Sequence, residues 1–275
     1  MPLTHYKINA RRKGHTVYAA VRPIYKYERI FIQSTDIAAI ILKFTSDPEV
    51  ISFAAGNPAP EAFPTEEIAR ITNEILTTTP IDALQYSITE GYTPLRNWIK
   101  DDLKKKGMFD ESEEDVVITS GAQQAIEVVT KEICNEGDVI ICEAPTFIGS
   151  LNAFRSYNAK LVGIDMDDDG INIEKLEAAL EKYQRTAFIY LIPNFQNPTG
   201  KTMSLEKRKK VLELAQKYNV YILEDNPYGD LRYFGEDVPT IKSLDKTGHV
   251  LYAGTFSKTL APGLRVGYLC APKNV

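Results

Sequence analysis

The stretch AFIYLIPNFQNPTGKTMSLEKRKKVLELAQKYNVYILEDNPY, residues 187–228, decides the fold. It opens with a continuous apolar run, Ala187 to Ile192, and closes with a second, Val220 to Leu223. Between them Val211, Leu212, Leu214, Ala215 and Tyr218 line one face of a helix predicted over Leu205 to Tyr218. Two unbroken apolar runs joined by an amphipathic helix predict neighbouring parallel strands buried on both faces. The same rhythm extends outward on both sides. Further runs are Val116 to Thr119, Val139 to Cys142, Lys160 to Ile164, His249 to Ala253 and Arg265 to Cys270, with helices expected from Gln123 to Cys134 and from Ile173 to Tyr183. The expectation is an α/β fold, a seven-stranded, mostly parallel sheet with helices on both faces.

The N-terminal quarter is less regular. Residues 1–28 are basic and rich in tyrosine without periodicity, and no element is assigned to them. Ile30, Ile37, Ile40, Ile41 and Leu42 give residues 29–50 a helical pattern, and ISFAAGNPAP (51–60) reads as an extended segment and a turn. Helices are predicted from Pro64-Thr65 to about Leu76, and from Thr93-Pro94 to Lys106, where Gly107 stops the second.

Composition narrows the function. The 275 residues are 44% hydrophobic and 25% charged, an ordinary globular balance, with a net charge of −5. No long basic run points to nucleic acid or an anionic membrane, and no apolar stretch is long enough to span a bilayer. Three scattered cysteines, Cys134, Cys142 and Cys270, form neither a disulfide framework nor a zinc pair, and the expected compartment is the reducing cytoplasm. Gly200-Lys201-Thr202 imitates the end of a phosphate-binding P-loop, but Phe195 stands where that loop needs glycine. No GxGxxG follows the first strand, and no GxSxG occurs.

In open α/β sheets ligands sit beyond the carboxyl ends of the strands, so the residues after each run carry the functional information. Here they are Ser120-Gly121-Ala122-Gln123, Glu143 to Phe147, Pro193 to Gly200, Glu224 to Tyr228, and Thr255 to Lys258. Lys258 follows a strand among hydroxyls and packed apolar neighbours. It is either a solvated lysine or an amine whose proton is easily lost. Asp225 ends a strand and either caps the turn before Pro227 or faces a cation. Ser120-Gly121-Ala122-Gln123 either caps a helix or cradles a phosphate at its N-terminus, with Arg265 beside it. Asn197 and Tyr228 are donors suited to a phenolate-type oxygen, and Phe147 is either a core aromatic or a ring for stacking. An amine, a carboxylate, a phosphate cradle, a stacking ring and two donors are the groups needed to hold pyridoxal 5′-phosphate on a lysine.

Six segments carry a resemblance to a known family: SFAAGNPAP (52–60), LQYS (84–87), TSGAQQ (119–124), PNFQNPTG (193–200), EDNPY (224–228) and TFSK…GLRVG (255–267). Together and in this order they resemble the fold-type-I, pyridoxal-phosphate-dependent aminotransferases of class I/II, in the branch of 2-aminoadipate, aromatic and kynurenine aminotransferases. The resemblance implies transfer of an amino group from an L-amino acid to a 2-oxo acid such as 2-oxoglutarate. It implies Lys258 as the Schiff-base lysine and proton carrier, and Asp225 as partner of the pyridinium nitrogen. Asn197 and Tyr228 would hold the ring oxygen and Phe147 would stack on the ring. Ser120, Gly121, Ala122, Gln123, Thr255, Ser257 and Arg265 would hold the phosphate. Tyr86 would reach the phosphate bound by the neighbouring subunit of a homodimer, and Gly56, with Asn197, would line the substrate side. No metal is implied. The implied organisation is an unassigned extension (1–28), an N-terminal arm and substrate-side segment (29–63), and a coenzyme-binding large domain (64–275). The family's long helix and small C-terminal domain, with the arginine that holds the substrate carboxylate, would lie beyond Val275. Other chemistry on the same coenzyme, a C–S β-lyase or a decarboxylase, and a non-catalytic remnant or sensor are the alternatives.

Overall fold

The computed structural model of the chain describes residues 56–275. The helical pattern of residues 29–50, the unassigned residues 1–28 and the start of the 51–60 segment lie outside the described residues. From Gly56 onward the chain forms one compact unit.

The elements are, in order, helices α1 (Thr65–Thr78), α2 (Pro80–Leu84) and α3 (Thr93–Lys105), strand β1 (Glu114–Thr119), α4 (Gly121–Ile133), β2 (Val139–Ala144), α5 (Ile148–Ser156), β3 (Lys160–Asp167), β4 (Gly170–Ile171), α6 (Ile173–Lys182), β5 (Thr186–Leu191), α7 (Leu205–Tyr218), β6 (Tyr221–Asp225), α8 (Ile241–Leu244), β7 (Val250–Thr255) and β8 (Gly267–Pro272). The sheet has eight strands in the order β1-β8-β7-β6-β5-β2-β3-β4, one more than the apolar runs predict. The addition is β4, two residues paired antiparallel to the end of β3 and too short for any apolar rhythm. Strands β3, β2, β5, β6 and β7 are mutually parallel, and β8 runs antiparallel between β7 and β1. The carboxyl ends of β1, β2, β3, β5, β6 and β7 therefore share one edge, where β8 begins. The final strand starts at Gly267 rather than Arg265, because Arg265 has a left-handed backbone (φ +53°) that ends the preceding 3₁₀ turn, Pro262–Leu264.

Alternation along the strands puts two of the three buried apolar clusters on opposite faces of the sheet. Ile141, Ile189, Leu191, Ile222 and Val250 point to one face, against Leu176 and Leu180 of α6 and Val211 and Ala215 of α7. Ile140, Phe188, Tyr190, Leu223 and Leu251 point to the other, against Ala125, Ile126 and Val129 of α4 and Phe154 of α5. Helix ends follow local chemistry. The Ser204 and Asn172 side chains accept from the N–H of Lys207 and Lys175, capping α7 and α6. Asn219 closes α7 in the left-handed region (φ +51°). Helix α5 is not evident in the sequence because Gly149, Ser150 and Asn152 hide its short apolar face of Ala153 and Phe154.

Asp225 and Glu224 are adjacent on β6 and point to opposite faces. Glu224 accepts from the N–H groups of Ile241 and Lys242 at the start of α8. The buried Arg208 guanidinium on the same side donates to the carbonyls of Pro193, Met203, Val238 and Pro239 and to Asn194 Oδ1. It thereby fixes the root of the loop that follows β5.

Candidate active site at the carboxyl edge of the sheet

Asp225, the last residue of β6, is 3% exposed. Its Oδ2 accepts a hydrogen bond of 2.7 Å from the Tyr190 hydroxyl, and Oδ1 has no partner among the described residues. It does not cap the turn before Pro227. A buried carboxylate oxygen without a donor is costly, and such a group is a candidate receptor for a cation. Burial pushes the Asp225 carboxyl up to about 6, with the Tyr190 bond opposing the rise.

Lys258 lies beyond β7 and is half-buried. Its Nζ donates to the Gly56 carbonyl at 2.8 Å and stands 6.0 Å from the centre of the Tyr228 ring. It forms no ion pair among the described residues, and desolvation lowers its pKa below the usual lysine value. A partly desolvated amine without a carboxylate can give up its proton and act as a nucleophile. A Cβ on Gly56 would lie 4.0 Å from both Lys258 Nζ and Tyr228 Oη, so Gly56 borders the same space. Asn197 Nδ2 reaches Tyr228 Oη at 3.4 Å, which puts the two expected donors side by side. The Tyr228 hydroxyl is raised by burial, with Asp225 adding to the rise.

Three of the residues expected to hold a phosphate, Ser120, Gly121 and Arg265, meet at the start of α4. Ser120 makes no capping bond through its side chain, so the first N–H groups of α4 are not closed by that residue. Arg265 donates to the Ser120 carbonyl at 3.1 Å, and a Cβ on Gly121 would stand 2.6 Å from the guanidinium. A Cβ on Gly267 would meet the backbone of Gly121 and Ala122, so β8 begins directly against this turn. Thr255 Oγ1 and Ser257 Oγ are 2.9 Å apart, and Thr255 also donates to the Val266 carbonyl. Gln123 is turned toward α5, donating to the Gly149 carbonyl at 3.1 Å. Phe147 is half-buried at the N-terminus of α5, packed against the core that includes α4 and close to Gly149.

Tyr86 is not among the residues brought together. It is 99% exposed in the segment after α2, and its backbone N–H bonds the side chain of Gln85. Sequence reasoning missed Tyr190, Ser150 and Gln196. Tyr190 reads as one more member of an apolar run, yet its hydroxyl joins Ser150 Oγ (2.8 Å) to Asp225 in the core. Tyr190→Phe should keep the ring packing on Phe154 (5.3 Å) and remove the donor. The Asp225 carboxyl should then titrate about one pH unit or more higher, as expected for a lost hydrogen bond to a charged group. Carboxyl ¹³C shifts of the coenzyme-free protein across pH check this. An unchanged titration would mean the bond does not stabilise the anion.

No group of metal-ligating side chains occurs among the described residues, and none of their helices is long and apolar enough to cross a membrane. The family model described as aminotransferase class I and II matches residues 48–275. The chain is 43% identical over 259 residues to aromatic-amino-acid aminotransferase 1 of Thermococcus litoralis, covering 90% of this chain and 62% of that protein. It is 40% identical over 244 residues to the 2-aminoadipate transaminase of Thermus thermophilus, covering 87% and 59%. A kynurenine aminotransferase of Pyrococcus horikoshii, solved with PMP, superimposes with a TM-score of 0.85 at 37% identity, covering 91% of this chain and 63% of that one. The chain thus spans about three-fifths of the length of the curated relatives it matches.

Proposed function

Because the chain belongs to the class I and II aminotransferase family, we propose that it binds pyridoxal 5′-phosphate at the carboxyl edge of its sheet and carries the catalytic lysine of an aminotransferase. The donor would be an L-amino acid of aromatic, 2-aminoadipate or branched-chain type, and the acceptor a 2-oxo acid. The observation that carries this reading is the buried Asp225 Oδ1, which has no partner where a protonated ring nitrogen would supply one. The Gly121–Arg265 cradle, which any side chain at residue 121 would crowd, fits the phosphate end.

When bound, the coenzyme supplies a carbonyl carbon for the amino group and an electron-withdrawing ring. The protein residues do the rest. Asp225 would supply the negative charge for the ring nitrogen and keep it protonated. Lys258 Nζ would be the attachment point and, as a free amine, would carry the proton to and from the substrate α-carbon. Tyr228 and Asn197 donate to the ring oxygen, and Phe147 covers a ring face. Ser120, Gly121, Ala122, Gln123, Thr255, Ser257 and Arg265 bind phosphate, with Gly56 on the substrate side. We assign residues 64–275 to the coenzyme-binding large domain and place the protein in the cytoplasm, in amino-acid biosynthesis. It would work as a homodimer in which Tyr86 reaches from a second copy of the chain, in keeping with the exposure of Ile81, Leu84 and Tyr86.

The test is the visible absorption of the purified chain with pyridoxal phosphate. Bleaching by an amino acid and recovery with 2-oxoglutarate is the expected result. Release of ammonia or sulfide would select a lyase, and indifference to every amino acid would select a sensor or remnant. Gly121→Ala tests the cradle. Its backbone is left-handed (φ +74°) and its Cβ would displace the Arg265 guanidinium. Stability should drop by about 1–2 kcal/mol, and coenzyme affinity should fall with it, measured by thermal melting and by titration. Unchanged affinity would remove Gly121 from the cradle.

A further inference from the structure

Resting on the reading above, we propose that Gln196, anchored by Glu143, is the positioning residue that aims Asn197 at the ring oxygen. Gln196 is 1% exposed, and its amide bonds both its own loop and the end of β2. Oε1 accepts from Thr199 N (3.0 Å) and Thr199 Oγ1 (2.7 Å), within the loop itself. Nε2 donates to the Pro145 carbonyl (2.8 Å) and to Glu143 Oε2 (3.3 Å), both at the end of β2. All four hydrogen-bonding positions of the amide are in use. Its backbone closes the loop as well, with N–H donating to the Lys201 carbonyl (2.8 Å) and C=O accepting from Gly200 N (2.5 Å). Asn197 is the next residue, so its backbone is held by a neighbour clamped both inside the loop and to an adjoining strand.

Glu143 completes the clamp. It is 1% exposed, and its Oε2 also accepts from Ile192 N at 3.1 Å, at the exit of β5. A single carboxyl oxygen thus ties β2 to both the root and the crown of the Asn197 loop. The other oxygen, Oε1, has no partner among the described residues. Desolvation, with Asp225 adding like charge, pushes the Glu143 carboxyl up to about 8. Its Oε2 acts as an acceptor in both of these bonds, a role that an amide oxygen also fills, so glutamine can replace it. Neither residue stands out in the sequence, because Glu143 ends an apolar run and Gln196 sits in a turn-rich segment whose anchor to β2 is long-range.

The test uses chain labelled with ¹⁵N-asparagine, in which the Asn197 side-chain amide signal is assigned by its loss in Asn197→Ala. Gln196→Met and Glu143→Leu keep volume and remove the polar groups. Both should shift or broaden the Asn197 side-chain signal in the coenzyme-free protein, and Glu143→Gln should leave it in place. A merely structural role would lower the melting temperature of these variants without moving that signal. The second readout is the dissociation constant for pyridoxal 5′-phosphate. Gln196→Met and Asn197→Ala should each weaken binding about tenfold, the loss expected from one hydrogen bond. The double variant should bind no more weakly than Asn197→Ala alone, because the two act as one unit. An unmoved Asn197 signal in Gln196→Met, or additive losses in the double variant, would overturn the assignment. If the unmodified chain binds no coenzyme, the proposed function fails, while the asparagine signal still decides whether Gln196 positions Asn197.

Discussion

Replacing Lys258 with alanine should abolish amino transfer, with turnover falling by at least about 10⁴-fold. Lys258 Nζ borders the space shared with Gly56 and Tyr228, is half-buried, and is held by a carbonyl rather than by a carboxylate. Those conditions favour the neutral amine, which is the form that can attack a carbonyl and take a proton. Tyr228 is the other proton-bearing group at this point, but burial raises its hydroxyl and disfavours it as a base. Arginine at 258 should not rescue, because a guanidinium stays protonated. The residues proposed to hold the phosphate are untouched by the substitution, so coenzyme should still bind without covalent attachment. The loss can then be assigned to chemistry by following oxo-acid release in a single turnover of loaded protein. Near-normal release from the alanine variant would remove Lys258 from its role.

Asp225→Asn should produce a second large loss together with a gain in stability. In the proposed role, loss of the negative charge would leave the coenzyme's ring nitrogen without a partner to hold its proton, and turnover should fall about 10²- to 10³-fold, as when a preorganised electrostatic partner is removed. The stability effect has the opposite sign. The folded Asp225 carboxyl stands at about 6 against an unperturbed 3.8. A carboxyl raised on folding contributes stability that is fully present below 3.8 and is lost as pH rises through about 6. Above that window the ionised group weighs against folding by about 3 kcal/mol. Asparagine removes that cost. The coenzyme-free variant should therefore melt above the parent at pH 8, and the two should converge below pH 4. Equal melting at pH 8 would show that the empty site does not strain the carboxylate. The proposed role of Asp225 would thus work against stability in the coenzyme-free protein.

Much of the fold is legible in the sequence because buried parallel strands appear as apolar runs, and the loops after their carboxyl ends converge on one edge of the sheet. Asp225 and Lys258 were legible as polar residues directly after such runs. Gly121 and Arg265 were legible as a small residue at a helix start and a cation seven residues beyond the lysine, and their proximity is a fact of the fold. Side-chain contacts between strands could not be read in this way. Tyr190 carries a hydroxyl inside an apolar run, and only the pairing of β5 with β6 reveals that it meets Asp225. Glu143 and Gln196 lie 53 positions apart and join only through the β2–β5 neighbourhood. Strand β4 is two residues long and owes its existence to the hairpin with β3, not to local propensity.

The most direct test of the central claim is to reduce the chain with borohydride after adding pyridoxal 5′-phosphate, and to map the adduct by peptide mass spectrometry. Attachment at Lys258 should give a phosphopyridoxyl group on the peptide that contains this residue, at one equivalent per chain, lowered in Asp225→Asn or Gly121→Ala only to the extent that these bind less coenzyme. An adduct spread over surface lysines, with Lys258 unmodified, would contradict it.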